Sequence, residues 1–273
     1  MNRPDLEAIL ARAREEAARL SREDPAALRA RRAPDDPPRG FAAAIRRERA
    51  AGRIAVIAEA KRRAPSSGDF PGVDPRAAAR AYARGGATAL SILADPHFGM
   101  DPEEFPAVRA ETSLPALWKG FVLSRAQVDY AYGLGADAVL LLARCHTAEA
   151  LAALYERAKG LGLDVLVEIH DADEIAKIPE GCDLVGANAR DLGDPGYRTA
   201  PARLSALRPL LPEGPLLVAE SGFHDAADVR SAFAAGPYDA LLVGTSLLRD
   251  LAAGRDPADR IAALRKAAGS ADG

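Results

Sequence analysis

Apolar and polar positions alternate along the chain in two kinds of stretch. Apolar, β-branched or Leu/Val-rich runs lie near residues 54–59, 88–93, 115–119, 137–143, 164–169, 183–188, 215–220 and 239–244. Each is followed by an alanine-rich amphipathic stretch, near 75–85, 103–111, 124–134, 147–160, 171–178, 201–210, 225–236 and 257–267. The short runs are continuously apolar rather than strictly alternating, the pattern of parallel strands covered by helices. The pattern therefore predicts eight strand–helix units.

No G-x-G-x-x-G turn follows the first run, which argues against an open dinucleotide-binding sheet. "GGATAL", "LGADAVLL", "EGCDLVG" and "GPYDALLVG" open the second, fourth, sixth and eighth strands, a weak repeat every two units. The expected fold class is α/β, a closed (β/α)8 TIM barrel with an N-terminal helical extension. Residues 5–20 have helical spacing, and 31–40, "RRAPDDPPRG", read as a turn-rich linker or cover segment. The expected division is an extension over 1–47 that covers the barrel mouth, then a single barrel domain over 48–273.

Composition narrows the partners. A length of 273 residues suits one such barrel, and a net charge of −3 points away from nucleic acid or an acidic membrane surface. Two cysteines, Cys145 and Cys182, make no disulfide framework and read as packing residues. The N-terminus lacks an apolar signal core, and no run approaches the roughly 20 residues of a membrane span. A cytoplasmic protein, monomeric or weakly homo-oligomeric, is expected. Only five of the 36 basic residues are lysines, so their placement is informative.

In such barrels chemistry sits at the C-terminal ends of the strands. Glu59 and Lys61 end the first strand, and alternation sends both to the same side as Ile57, the interior. Lys119 ends the third strand, Glu168 the fifth, Asn188 and Arg190 the sixth, Glu220 and Ser221 the seventh, Gly244 and Thr245 the eighth. Buried charges must pair, meet water or meet a charged ligand. Singly, each has a plain structural alternative: an ion pair for Glu59 and Lys61, a snorkelling amine for Lys119, a turn for Asn188. Their coincidence on one rim favours a site. Ser221, Gly222, Gly244 and Thr245 are small enough for backbone N–H groups to approach a phosphate, helped by a short helix N-terminus. These glycines could also serve only as turns. The four histidines show no metal-ligand spacing, so no metal is expected.

The segments "IAEAKRRAPSSG", "WKGF", "VLVEIHD", "GANARDL", "VAESGF" and "LVGTSLLR" together resemble the indole-3-glycerol phosphate synthase family, over nearly the whole chain. The resemblance implies conversion of 1-(o-carboxyphenylamino)-1-deoxyribulose 5-phosphate to indole-3-glycerol phosphate, CO₂ and water, a carboxy-lyase step of tryptophan biosynthesis without a metal or organic cofactor. It implies Lys119 as general acid, Glu168 as its partner in proton transfer, and Glu59, Lys61 and Asn188 as further catalytic residues. Arg190, Glu220, Ser66, Ser221, Gly222, Gly244 and Thr245 fall at its substrate-binding positions. A lysine acting as an acid near neutral pH is expected to have its pKa lowered by burial or neighbouring charge. Three positions depart from the family's pattern: Ala64 replaces a serine, Gly120 an acidic residue, and "HFGMDPEEF" is a shorter loop without the usual serine. Two alternatives stay open: a phosphate-binding barrel without this activity, which these departures suggest, and an aldolase using Lys61 or Lys119 as a Schiff-base nucleophile.

Overall fold

A computed structural model describes residues 6–64, 68–190 and 199–269. Eight strands close into a parallel barrel: β1 (Ala55–Ala60), β2 (Ala89–Leu93), β3 (Ala116–Lys119), β4 (Ala138–Leu142), β5 (Asp164–Ile169), β6 (Leu184–Asn188), β7 (Leu216–Glu220) and β8 (Ala240–Val243). Each pairs with its sequence neighbours, and β1 pairs with both β2 and β8. The expected barrel is thus observed, with strand ends within a residue or two of those read from the pattern.

Alternation divides every strand between two cores. Ile57, Leu117, Leu140, Leu166, Leu184 and Leu242 fill the barrel interior. Their neighbours Val56, Leu90, Trp118, Val139, Val167 and Val185 pack outward beneath the helices. The outer layer holds α4 (Pro75–Arg84), α5 (Phe105–Arg109), α6 (Arg125–Gly133), α7 (Ala148–Gly160), α8 (Ala202–Leu207), α9 (Ala226–Ala232) and α11 (Pro257–Gly269). The amphipathic stretch near 171–178 is a 3-10 helix, Ala172–Lys177, rather than an α-helix. Ile178 precedes Pro179, which disfavours the helical backbone there, and its ψ of 124° is extended.

Ahead of the barrel lie α1 (Leu6–Leu20), α2 (Pro25–Arg29) and α3 (Phe41–Ala50). The last spans the expected boundary between 47 and 48. Its Phe41, Ala42 and Ile45 join the interior core, where the small first residues Ala55, Ala89, Ala138 and Ala240 leave them room. Thus α3 plugs the base of the barrel. Segment 31–40 is fastened rather than loose. Asp137, fully buried, accepts from the N–H groups of Arg39 (2.9 Å) and Ala116 (2.7 Å) and from Arg109 Nη2 (2.9 Å). Arg109 also grips Asp36 at 2.6 and 3.0 Å.

Two short elements lie at the other end, the first not legible in the pattern and the second the short helix expected beside the small residues after β8. Arg63–Ala64 pairs antiparallel with Gly68–Asp69 after β1. Helix α10 (Thr245–Ala252) starts immediately after Gly244, past the end of β8. Among the described residues no helix is long and apolar enough to cross a membrane.

Candidate active site

The C-terminal mouth opens into a cavity with a charged floor. Glu59, Lys61, Lys119, Glu168, Asn188 and Arg190 all line it. Strand alternation places them there: Lys119 continues the interior row after Leu117, Glu168 after Leu166, and Glu220 after Val218. Ser66 lies outside the described residues.

Lys119 is the hub. Its Nζ donates to Glu168 Oε2 at 2.9 Å and to Glu220 Oε2 at 2.8 Å. Glu220, expected only as a binding residue, therefore sits within the buried lysine–carboxylate cluster. Gly186 makes this possible. It faces inward on β6, and a Cβ there would overlap Glu220 Oε1. Asn188 Nδ2 donates to Glu168 Oε1 at 2.8 Å, while its Oδ1 accepts the Arg190 N–H at 2.9 Å. Asn188 both orients Glu168 and shapes the turn. Lys61 pairs with Glu59 in a second buried contact.

The electrostatics separate the two lysines. Burial lowers the Lys61 pKa despite Glu59 beside it. For Lys119 burial acts in the same direction, but Glu168, Glu220 and Glu59 outweigh it and raise the pKa. The expected lowering thus holds for Lys61 and fails for Lys119, because three carboxylates surround one ammonium. Burial opposes ionisation of Glu168 and Glu59, yet nearby cations hold both below the usual carboxylate range, Lys119 for the first and Lys61 for the second. Glu220 goes the other way. Burial and the Glu168 charge push its carboxyl up to about 8.

Leu6 and Ile9 of α1 join Phe98, Phe121, Leu140 and Leu142 as the apolar wall of the same cavity. On another side Ser221, Gly222, Gly244 and Thr245 come together as expected. Ser221 has φ 71°, the single positive value among described non-glycine residues, followed by Gly222 at 85°. Such backbone costs roughly 1–3 kcal/mol and clusters at ligand sites. The first N–H groups of α10 have no carbonyl four residues back, leaving donors beside this cradle. Ser246 Oγ donates to the Phe223 carbonyl at 2.7 Å and ties α10 to the loop after β7. Gly244 has a second reason to lack a side chain. A Cβ there would lie 2.5 Å from Glu59 Oε1.

Sequence reasoning missed His170, Gly186 and the apolar wall. His170 was findable: it follows Glu168 by two positions, the same spacing that puts Lys61 on the face of Glu59. His97 bonds locally to Asp95 Oδ1 at 2.9 Å, and His146 bonds the Val122 carbonyl at 3.1 Å in the loop after β3. Cys182 donates to the Leu184 carbonyl at 3.2 Å within the core. At Gly120 an added Cβ would approach Trp118 Nε1 to 3.0 Å.

The fold and mouth define a (β/α)8-barrel enzyme whose cavity joins paired lysines and carboxylates, an apolar wall and the N-terminal end of α10. Comparison with known proteins gives the particular family. The family description "Indole-3-glycerol phosphate synthase" matches residues 6–257. A curated relative of that name from Geobacillus thermodenitrificans is 39% identical over 251 residues, covering 89% of this chain and 92% of the relative. One from Chlorobium phaeovibrioides is 40% identical over 249 residues, covering 89% and 93%. Among solved structures, tryptophan synthase subunit alpha from Legionella pneumophila superposes with a TM-score of 0.55 at 14% identity, covering 85% of this chain and 98% of that one, a likeness of fold alone. The chain belongs to the indole-3-glycerol phosphate synthase family.

Proposed function

We propose that this chain closes the indole ring of indole-3-glycerol phosphate from 1-(o-carboxyphenylamino)-1-deoxyribulose 5-phosphate, releasing one CO₂ and one water. The observation that carries the reading is Lys119 bonded to Glu168 and Glu220 at the floor of a cavity with an apolar wall and an anion cradle. The substrate's aromatic ring lies against Phe98, Phe121 and Leu142. Its phosphate meets Ser221, Gly222, Gly244 and Thr245 at the start of α10, and its carboxylate faces Lys61 and Arg190.

Lys119 donates a proton to the ketone oxygen as the ring carbon attacks. The raised pKa means the acid form is present at neutral pH, and it releases the proton only as negative charge grows on that oxygen. Loss of CO₂ restores the aromatic ring. Lys119, recharged by one proton from solvent, then protonates the hydroxyl as it leaves as water, and Glu168 takes the proton from the adjacent carbon, completing the dehydration. Holding the phosphate and ring at two ends fixes the reacting carbons, an orientation effect that contributes several kcal/mol. A Schiff base needs a neutral amine, and the carboxylates around Lys119 hold it charged.

The purified chain, given this substrate, should produce the fluorescence of indole-3-glycerol phosphate with one CO₂ per product. No product, together with borohydride trapping of a carbonyl ligand on lysine, would favour the aldolase reading instead.

Helix α1 (Leu6–Leu20) acts as a cover, through Leu6 and Ile9 on the apolar wall. A chain starting at residue 21 keeps the fastened segment 31–40 and should fold, with a raised KM. An unchanged KM would remove the cover role. The setting is the cytoplasm, and the working form a monomer or weak homo-oligomer.

A further inference from the structure

His170 is 1% exposed, and its ring stands between two carboxylates. Nε2 is 3.1 Å from Glu168 Oε1, and Nδ1 is 3.8 Å from Glu174 Oε2. Both ring nitrogens are buried and neither meets its carboxylate in hydrogen-bond alignment. Glu174 is itself anchored. Its Oε2 accepts the His170 backbone N–H at 2.8 Å, and its Oε1 faces Arg144 Nε at 3.8 Å. A neutral imidazole has one N–H and can serve one of two flanking carboxylates; the imidazolium has a donor for each.

Glu168 divides its oxygens accordingly. Oε2 receives Lys119 at 2.9 Å on the cavity side. Oε1 receives Asn188 at 2.8 Å and faces His170 on the wall side. We propose that His170, held as an imidazolium by Glu174, is a positioning residue that keeps Glu168 ionised with Oε2 turned to the substrate. This rests on Glu168 as a proton-transfer group.

The surroundings favour the charged ring. Glu168 on β5, and Asp171 and Glu174 just after it, are the nearby anions. Arg144 and Cys145 approach from the turn after β4, and Asn188 and Lys119 lie beyond Glu168. Arg203 of α8 donates to the His170 carbonyl at 3.3 Å and to Asp171 Oδ1 at 2.8 Å. Burial works against the cation, but Glu168 and Glu174 overcome it and bring the imidazole pKa up to about 9. With the cation behind Oε1, Glu168 passes on a proton it has taken rather than keeping it.

His170→Gln keeps an amide donor towards Glu168 and removes the charge. It should lower kcat roughly tenfold with KM within about twofold. The acidic limb of the kcat profile should move up by about one pH unit. Glu174→Gln should act in the same direction. An unchanged profile in His170→Gln, beside an inactive Glu168→Gln, would overturn this proposal alone. Full turnover in Glu168→Gln would remove both the proposal and the reading beneath it. Histidine NMR of the unmodified chain needs no variant to fold. One ring should remain an imidazolium beyond pH 8; all four rings titrating near the usual histidine value would overturn the proposal.

Discussion

The barrel buries charge at both ends, and the two ends treat it differently. At the base, Asp137 is saturated by backbone N–H groups and by Arg109, while Arg109 is held again by Asp36. Arg32 closes the cluster by donating to the Ala136 carbonyl at 2.7 Å. At the mouth, buried Glu220 Oε1, the His170 ring nitrogens and Ser91 Oγ, opposite Glu59 in register, have no protein hydrogen-bond partner. Among the described residues two further buried atoms, Tyr82 Oη and Arg265 Nε in the helical layer, also lack partners, but four of the six lie at the mouth. Buried polar groups are nearly always satisfied, so this concentration marks a region shaped for something other than stability. The base spends its charges on holding the N-terminal segment. The mouth keeps part of its bonding capacity open.

The largest effect that would sharpen this contrast is at the base. Asp137→Ala strands Arg109 and Arg32 without their shared partner and should cost about 3–5 kcal/mol of stability, the usual result of breaking a buried pair. Denaturant unfolding would measure it, with kcat per folded molecule unchanged. A fall in kcat at full stability would break the contrast.

A smaller effect is expected at Gly186. An alanine methyl would displace the Glu220 carboxyl from Lys119. Turnover should fall roughly tenfold, the worth of about 1.4 kcal/mol, with little change in unfolding midpoint. Wild-type turnover would show that the Lys119–Glu220 bond is idle.

The most gradual effect, spread over several pH units, is on the pH dependence of stability. The folded state holds protons on Glu220 up to about pH 8 and on His170 up to about 9, above their ordinary values. The folded chain therefore binds more protons than the unfolded chain in those windows. Stability should fall as pH rises, by at most about 1.4 kcal/mol per pH unit for each group. For His170 the contribution is complete below its ordinary value near 6.5 and gone above about 9. Glu220→Gln should flatten the fall between about pH 4.5 and 8. The same slope in that variant would mean that Glu220 is ionised throughout.

The barrel was legible because each run ends in a turn and each strand carries its core in continuous apolar residues. The rim was legible for a related reason: a charge continuing an interior row, as Lys119 continues Leu117, has nowhere else to point. What stayed hidden depends on contacts far apart in sequence. "FAAAIRRERA" has an apolar face, but its role as a plug follows from four alanines, Ala55, Ala89, Ala138 and Ala240, that begin strands spread along the whole chain. Gly186 and Gly244 look like turn or anion-binding glycines until Glu220 and Glu59 are placed against them. Gly120 looked like a missing carboxylate; in the fold, a Cβ there would come within 3.0 Å of Trp118 Nε1 and 3.4 Å of the Ala94 carbonyl oxygen, so a side chain requires the indole to give way slightly.

The most direct test of the account is Lys119→Met, with turnover and unfolding midpoint measured on the same preparation. The substitution keeps much of the stem, removes the proton and leaves Glu168 and Glu220 facing each other. The account predicts a loss of turnover on the order of 10²–10⁴, the reach of one positioned acid, in a protein that stays folded. Near-wild-type turnover combined with a lowered midpoint would contradict it, placing Lys119 with Asp137 among the charges that hold the barrel together.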